Sequence, residues 1–298
     1  MPSLKDLRNR ISGVISTKKI TSAMKLVAGA RLKRAQIAAT TSRPYVVKMQ
    51  ELINNITSSV KNIETLPKII KGSESNKIHL IILITSDRGL CGGFNTAIAR
   101  LAKKRINELL NSNKIVKILC VGKKGYNQLK REYQDIIIDT IILPYKSDKV
   151  DYEFAQKISH RILMMHENNE FDFASIVFSL FQSPLKQEPQ LKQIIPVLNN
   201  DENTTKNSDE SRDKKIYEYE PEEEYILKNL IPHNISIQIY RGLLENAAGE
   251  EGARMIAMDN ATRNAGELID SLTLNYNRSR QAQITKELIE VISGAEAV

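Results

Sequence analysis

Apolar residues return every three or four positions at both ends of the chain. Its middle instead alternates short apolar runs with amphipathic stretches. From Ser3 to about Val60 the stripe passes Leu4, Leu7, Ile11 and Val14, then Ile20, Met24 and Val27, and continues with Ala30, Ala35 and Ala38. That spacing predicts a long helix with a narrow, coiled-coil type of seam rather than a wide core face. Ser3 and Asp6 have the spacing of a capping box. Thr17-Lys18-Lys19 should interrupt the seam, and Pro44 should kink the helix or lean on a tolerant neighbour. A continuous helix of this length would reach about 80 Å and would need a partner along all of it.

From about Lys77 to Tyr219 the pattern predicts alternating strands and helices. Ile78 to Thr85 reads as a buried strand, Asn95 to Asn111 as a helix and Ile115 to Val121 as a second strand. Lys123 to Arg131 is helical, Ile136 to Leu143 β-rich and Asp151 to Glu167 an amphipathic helix, with strands at Ala174 to Leu180 and Ile194 to Leu198. Such alternation favours parallel strands with helices packed on them. Asn199 to Lys215 is too polar to pack and reads as a mobile loop. From about Glu222 the chain is helical again, with a stripe of Ile235, Ile239, Leu243 and Ala247, then Met255, Met258, Ala261, Ala265, Leu268, Leu272 and Tyr276. After the polar Asn277 to Gln281 the stripe resumes at Ile284, Leu288, Val291 and Ile292. Pro232 bends or marks its start. Gly249, Gly252 and Gly266 each weaken the helix by about 1 kcal/mol, so it needs tertiary support. Two narrow-seamed helices at opposite ends can support each other. The expectation is an α/β fold in which an antiparallel coiled coil, 1–60 with 222–298, carries an inserted Rossmann-like α/β domain at 77–219.

Composition narrows this further. The longest apolar run, Ile78 to Ile84, is broken by His79 and falls far short of the ~18 residues of a membrane span. Met1 to Arg10 resembles neither a signal peptide nor an organelle presequence. Two cysteines, Cys91 and Cys120, exclude a disulfide framework, and the four scattered histidines have no metal-ligand spacing. The net charge of +8 is unevenly placed: residues 1–75 carry 14 Lys/Arg against 4 Asp/Glu, and the remainder is near neutral. The basic end therefore points to an acidic partner, whether nucleic acid, lipid or protein.

The sharpest local motif is Thr85-Ser86-Asp87-Arg88-Gly89-Leu90-Cys91-Gly92-Gly93-Phe94-Asn95, between a strand and a helix, where glycine-rich loops often hold phosphate. It is neither the Walker nor the dinucleotide pattern, and Gly92 and Gly93 equally suit a tight turn. Cys91 reads as an activated thiol at a helix start or as a packed side chain. Lys25, Arg31, Lys33 and Arg34 form a basic cluster, but Tyr45 is the lone aromatic of that helix, which leaves no stacking platform for nucleic acid. The seam methionines Met24, Met49, Met255 and Met258 read as packing. Glu222, Glu223 and Glu224 read as a helix-start cluster. No nucleophile, base and orienting group come together. The residues alone leave open a nucleotide-binding α/β enzyme or adaptor with coiled-coil arms.

The segment Ile284-Thr285-Lys286-Glu287-Leu288-Ile289-Glu290-Val291-Ile292-Ser293-Gly294-Ala295 resembles the signature of the gamma subunits of F-type ATP synthases: an aliphatic residue, Thr, a Glu two further on, an acid three beyond that, then Gly-Ala. The resemblance extends to Leu4 to Ile11, Ile20 to Ala28, Arg43-Pro44-Tyr45, the Ser86 to Gly93 loop, Ala253 to Thr262 and Tyr276-Asn277, and so covers the whole chain. It implies a bacterial-type central-stalk rotor. One copy per complex would turn inside three alpha and three beta subunits, its base on epsilon and the c-subunit ring, and couple proton flow to ATP synthesis at beta. No catalytic residue, cofactor, metal or nucleic acid is implied, and the location is peripheral, on the cytoplasmic side of the cell (inner) membrane. By the same resemblance Arg280, Gln281 and Thr285 meet a beta loop, and Met24 and Lys25 face beta's acidic lever. Arg254, Ile284, Glu287, Glu290, Gly294 and Ala295 belong to the coupling segments. Asp87, Arg88, Gly89, Cys91, Gly92 and Gly93 form a structural or subunit-contact loop.

Overall fold

The computed structural model describes residues 3–59, 67–73, 75–144, 150–197 and 223–296; the polar stretch expected to be a loop at 199–215 lies outside them. In chain order the elements are α1 (Leu4–Ser59), α2 (Lys68–Lys71), β1 (Ile78–Ile84), α3 (Phe94–Asn111), β2 (Ile115–Val121), α4 (Lys123–Tyr133), β3 (Ile137–Ile141), α5 (Tyr152–Glu167), β4 (Phe173–Phe181), β5 (Gln187–Ile195) and α6 (Glu223–Glu296). The chain divides into two compact units. One is Met1–Ala30 with Arg254–Val298, and the other is Arg31–Ala253.

The larger unit is built on a sheet ordered β3-β2-β1-β4-β5. The first four of these are mutually parallel, and β5 runs antiparallel to β4. β1 is an unbroken apolar run because both its faces are covered. Leu80, Ile82 and Ile84 join one apolar cluster with Val46 and Ile53 of α1, Ile158 and Ile162 of α5, and Ile235 and Ile239 of α6. Ile81 and Leu83 join the opposite cluster, with Phe94, Ile98 and Ile106 of α3 and Leu129 of α4. His79 fits this strand because its ring stacks on Phe173 at 5.1 Å and its Nε2 lies 2.7 Å from the Asn76 side-chain oxygen. Burial, followed by the fields of Arg105 and Lys114, drives its pKa down to about 4.

One strand lies elsewhere than expected. Of the apolar stretch Ile194 to Leu198, Ile194 and Ile195 end β5, which begins at Gln187, Pro196 and Val197 follow it, and Leu198 lies outside the described residues. An edge strand has one solvated side, so it need not be apolar, and Pro189 is tolerated there. The predicted β-rich stretch Ile136 to Leu143 narrows to β3, preceded by a 3₁₀ turn at Gln134–Ile136.

In the smaller unit, contacts between the two helical segments run in opposite order. The Arg8 guanidinium donates to the Tyr276 hydroxyl at 2.9 Å, the Thr21 and Thr262 hydroxyls lie 2.8 Å apart, and Lys25 Nζ donates to Asp259 at 2.6 Å. A Cβ on Gly266 would lie 3.3 Å from Lys18 Nζ, and one on Gly29 would lie 3.5 Å from Met255 Sδ. The pair is therefore antiparallel. Ser3 starts α1 as the capping-box spacing predicts: its Oγ accepts from the Asp6 N–H at 3.1 Å, and the Asp6 carboxylate accepts from Ser3.

The expected seam needs correction. Ile20 is 60% and Val27 52% exposed, as is 48% of Leu268. The buried or half-buried series is Leu7, Ile11, Val14, Thr21, Met24 and Ala28. The heptad keeps its phase through the polar stretch rather than following the apolar side chains one position away, and Thr17-Lys18-Lys19 leaves α1 unbroken.

Candidate functional site

Three places could carry function: the paired helices, the free end of α6, and the loop after β1. In the paired helices, Met24 is half-buried, and Lys25 keeps 43% of its side chain exposed while paired with Asp259. The Lys25 hydrogen bond holds the Asp259 carboxyl below the usual carboxylate range. Polar residues thus occupy seam positions, each met by a specific answer: Lys18 by the missing side chain of Gly266, Thr21 by Thr262, and Lys25 by Asp259.

The register fixes where the pairing ends. With Arg8 opposite Tyr276, Leu4, the first residue of α1, falls opposite Arg280. From Arg280 to Ser293 every described side chain is exposed. The apolar ones include Ile284 at 47%, Leu288 at 57% and Val291 at 69%. Exposed apolar side chains in such a run mark a contact with another molecule. Thr285 Oγ1 bonds back to the Gln281 carbonyl at 2.9 Å, Glu287 accepts from Gln283 at 3.0 Å, and Glu290 pairs with Lys286 at 3.5 Å, all within the helix itself. Gly294 and Ala295 belong to its last turn. Arg254, in contrast, is buried.

The loop after β1 is filled by its own side chains. Asp87 accepts from the Lys123 N–H at 2.5 Å and the Leu143 N–H at 2.9 Å, tying the start of α4 and the chain beyond β3 to β1. Ser86 Oγ donates to the Arg88 carbonyl at 2.7 Å and accepts from Asn95 Nδ2 at 2.8 Å, and the same amide nitrogen lies 3.2 Å from Cys91 Sγ. Cys91 is therefore a packed thiol, buried beside Asn95. Gly92 takes the left-handed conformation at φ 57°, and Leu90 does so at φ 64° with its side chain exposed. Arg88 is exposed, Gly89 lies against Lys124, and Gly93 precedes the first turn of α3. Gly122, at φ +104°, closes the floor: a Cβ there would meet the Thr85 carbonyl oxygen at 2.3 Å. The peptide N–H groups of Ser86, Lys123 and Lys124 are all bonded within this network, leaving a stiff turn.

Sequence reasoning missed Glu245. It is fully buried and accepts from Arg43 Nε at 2.7 Å, Arg43 Nη2 at 2.8 Å and the Phe181 N–H at 3.0 Å. Arg43 Nη2 also donates to the Phe181 carbonyl at 2.7 Å. One carboxylate thus joins α1, β4 and α6. Its signal was a lone charge among the apolar residues Leu243, Leu244 and Ala248.

Comparison with known proteins agrees with this arrangement. A family model described as ATP synthase matches residues 3–298. The chain is 51% identical to the ATP synthase gamma chain of Sinorhizobium medicae and 49% identical to that of Pelagibacter ubique, with all of both chains covered in each case. The chain belongs to the ATP synthase gamma-chain family. As a gamma chain it is a central-stalk subunit of the F-type ATP synthase rather than one of its catalytic chains. Its fold is shared with a solved central stalk and c-ring of the Tetrahymena thermophila mitochondrial enzyme (TM-score 0.60, 24% identity, 81% of this chain and 99% of that one). A Euglena gracilis mitochondrial ATP synthase rotor is similar in fold at TM-score 0.63 and 18% identity, over 94% of this chain and 98% of that one. Among the described residues, no helix of this gamma chain is long and apolar enough to cross a membrane.

Proposed function

We propose that this gamma chain couples proton flow to ATP synthesis and hydrolysis by turning, one copy per complex, inside a ring of three alpha and three beta subunits. The observation that carries this reading is the unpaired end of α6, exposed and apolar beyond Arg280. An apolar contact can slide without breaking strong directional bonds, so Ile284, Leu288, Val291 and Ile292 suit a bearing surface. Arg280, Gln281 and Thr285, where the pairing with α1 ends, supply directional contacts that distinguish one rotor angle from another. Met24 and Lys25 take the second contact, toward an acidic element of beta; the exposure of Lys25 beside Asp259 supports this. Glu287 and Glu290 keep the free end soluble and helical, and Gly294 and Ala295 complete its tip. Arg254, being buried, positions α6 rather than touching a partner.

In this reading 1–60 and 222–298 act as the shaft and 77–219 as the base, which meets epsilon and the c-subunit ring at the cytoplasmic side of the inner membrane. The Asp87 to Gly93 loop is a stiff contact element that presents Arg88 and Leu90. The test replaces Arg280 and Gln281 with alanine together in the assembled enzyme and measures proton pumping per ATP hydrolysed in inverted membrane vesicles. A clear fall in that ratio is expected; an unchanged ratio refutes the assignment. A pull-down from solubilised membranes should recover alpha, beta and epsilon, and their absence would overturn the whole reading.

A further inference from the structure

On the face of the sheet that carries α1 and α6, β5 and α6 each contribute a cation. On β5, Lys192 pairs with Ile176 of β4, whose side chain belongs to the apolar cluster under α6. Gly242 sits directly over that spot: a Cβ there would lie 3.7 Å from both Ile176 Cδ1 and Phe178 Cγ, and 3.0 Å from Ile84 Cδ1. Its neighbour Arg241 is therefore brought beside Lys192. Burial and then Arg241 push the Lys192 pKa down to about 8. Burial likewise lowers Arg241; Glu245 opposes that shift, and Arg43 adds to it.

The carboxylate near this pair is Glu245, and its oxygens already receive both Arg43 nitrogens and the Phe181 N–H. Glu188, on the same face of β5, lies about 13 Å along the strand from Lys192 and is held by Gln182. Arg43 and Arg241 thus share one committed carboxylate, while the charged group that acts on Lys192 is Arg241. The Nε of Arg241 is buried with no hydrogen-bond partner among the described residues. Buried polar atoms without partners are uncommon, and an apolar filling would have been less costly here. Lys192 and Arg241 are half-buried rather than sealed in the core.

We propose that Lys192 and Arg241 form a binding site for a small oxyanion of the charge and size of inorganic phosphate. The planar Arg241 fork would take two of its oxygens and the Lys192 ammonium a third. Binding would tie β5 to α6 through the anion. This site lies apart from the exposed end of α6 and does not depend on its contacts.

The test uses the full-length chain, with inorganic phosphate titrated against sodium chloride at constant ionic strength. Two signals are followed: the unfolding midpoint, and the titration of Lys192 by NMR after ¹³C-dimethylation of the lysines. Phosphate should raise the midpoint in a saturable way and raise the Lys192 titration midpoint by about one pH unit. Arg241→Gln and Lys192→Met should each abolish the saturable rise in the unfolding midpoint. A response that scales with ionic strength alone, or one equal in the parent and both variants, would overturn the site. If Arg241→Gln does not fold, the Lys192 titration in the parent chain decides, and a midpoint insensitive to phosphate counts against the proposal.

Discussion

The two units of this chain use the same two helices in different ways. In Arg31–Ala253, α1 and α6 contribute ordinary core side chains, and the buried carboxylate of Glu245 receives three donors. In Met1–Ala30 with Arg254–Val298, the seam between the helices holds Lys18, Thr21 and Lys25 opposite Gly266, Thr262 and Asp259. The first unit gains stability by removing apolar area from water. The second accepts polar residues where a stronger coiled coil would place leucine, which fixes register at the expense of stability. On the proposed reading, in which the helix pair presents its outer surface to other chains, register serves it more than strength.

The comparison predicts a graded series. Glu245→Gln should be the most damaging change, at about 3 kcal/mol in urea unfolding, because it leaves Arg43 and Arg241 without their carboxylate. An effect below 1 kcal/mol would show that this ion pair does not anchor the larger unit. Acid comes next. His79 stays neutral in the folded chain down to about pH 4, whereas the unfolded chain protonates it near 6.5. Its contribution is therefore complete above pH 6.5 and is lost as pH falls from there toward 4, by about 2 kcal/mol at pH 4.5. His79→Gln should remove that part of the pH dependence, and an unaltered slope would locate it elsewhere.

Smaller effects belong to the paired helices. Thr262→Val should weaken them by about 0.5–1 kcal/mol, read as faster hydrogen exchange between Met255 and Tyr276 with β1 unchanged. Equal loosening of β1 would remove the distinction between the units. Asp259→Asn should change least, and its effect should disappear in high salt because the pair is partly open to solvent. An effect that persisted in 1 M salt would mean that the pair is shielded.

Much of this was legible before any coordinates. The helix cap at Ser3, both long helices, the first four strands and their alternation with helices follow from hydrophobic period and local chemistry. The C-terminal signature carried the family. Two kinds of feature were hidden. The seam slipped from view because a pattern reader follows Ile20 and Val27, while the helix pair keeps phase through Lys18, Thr21 and Lys25. The strand β5 was hidden because an edge position asks little of its residues.

The sequence by itself determined both long helices and the first four strands, that the basic end is the N-terminal one, and that both ends need partners, since period and charge are local properties. The tertiary structure alone decided three things. It set the antiparallel register, which ends opposite Arg280 and leaves the tip of α6 uncovered. It brought Glu245 to Arg43, 202 residues away, and filled the glycine-rich loop with Ser86, Asp87 and Asn95. Each of these depends on distance and direction between residues remote in the chain, which no local pattern encodes.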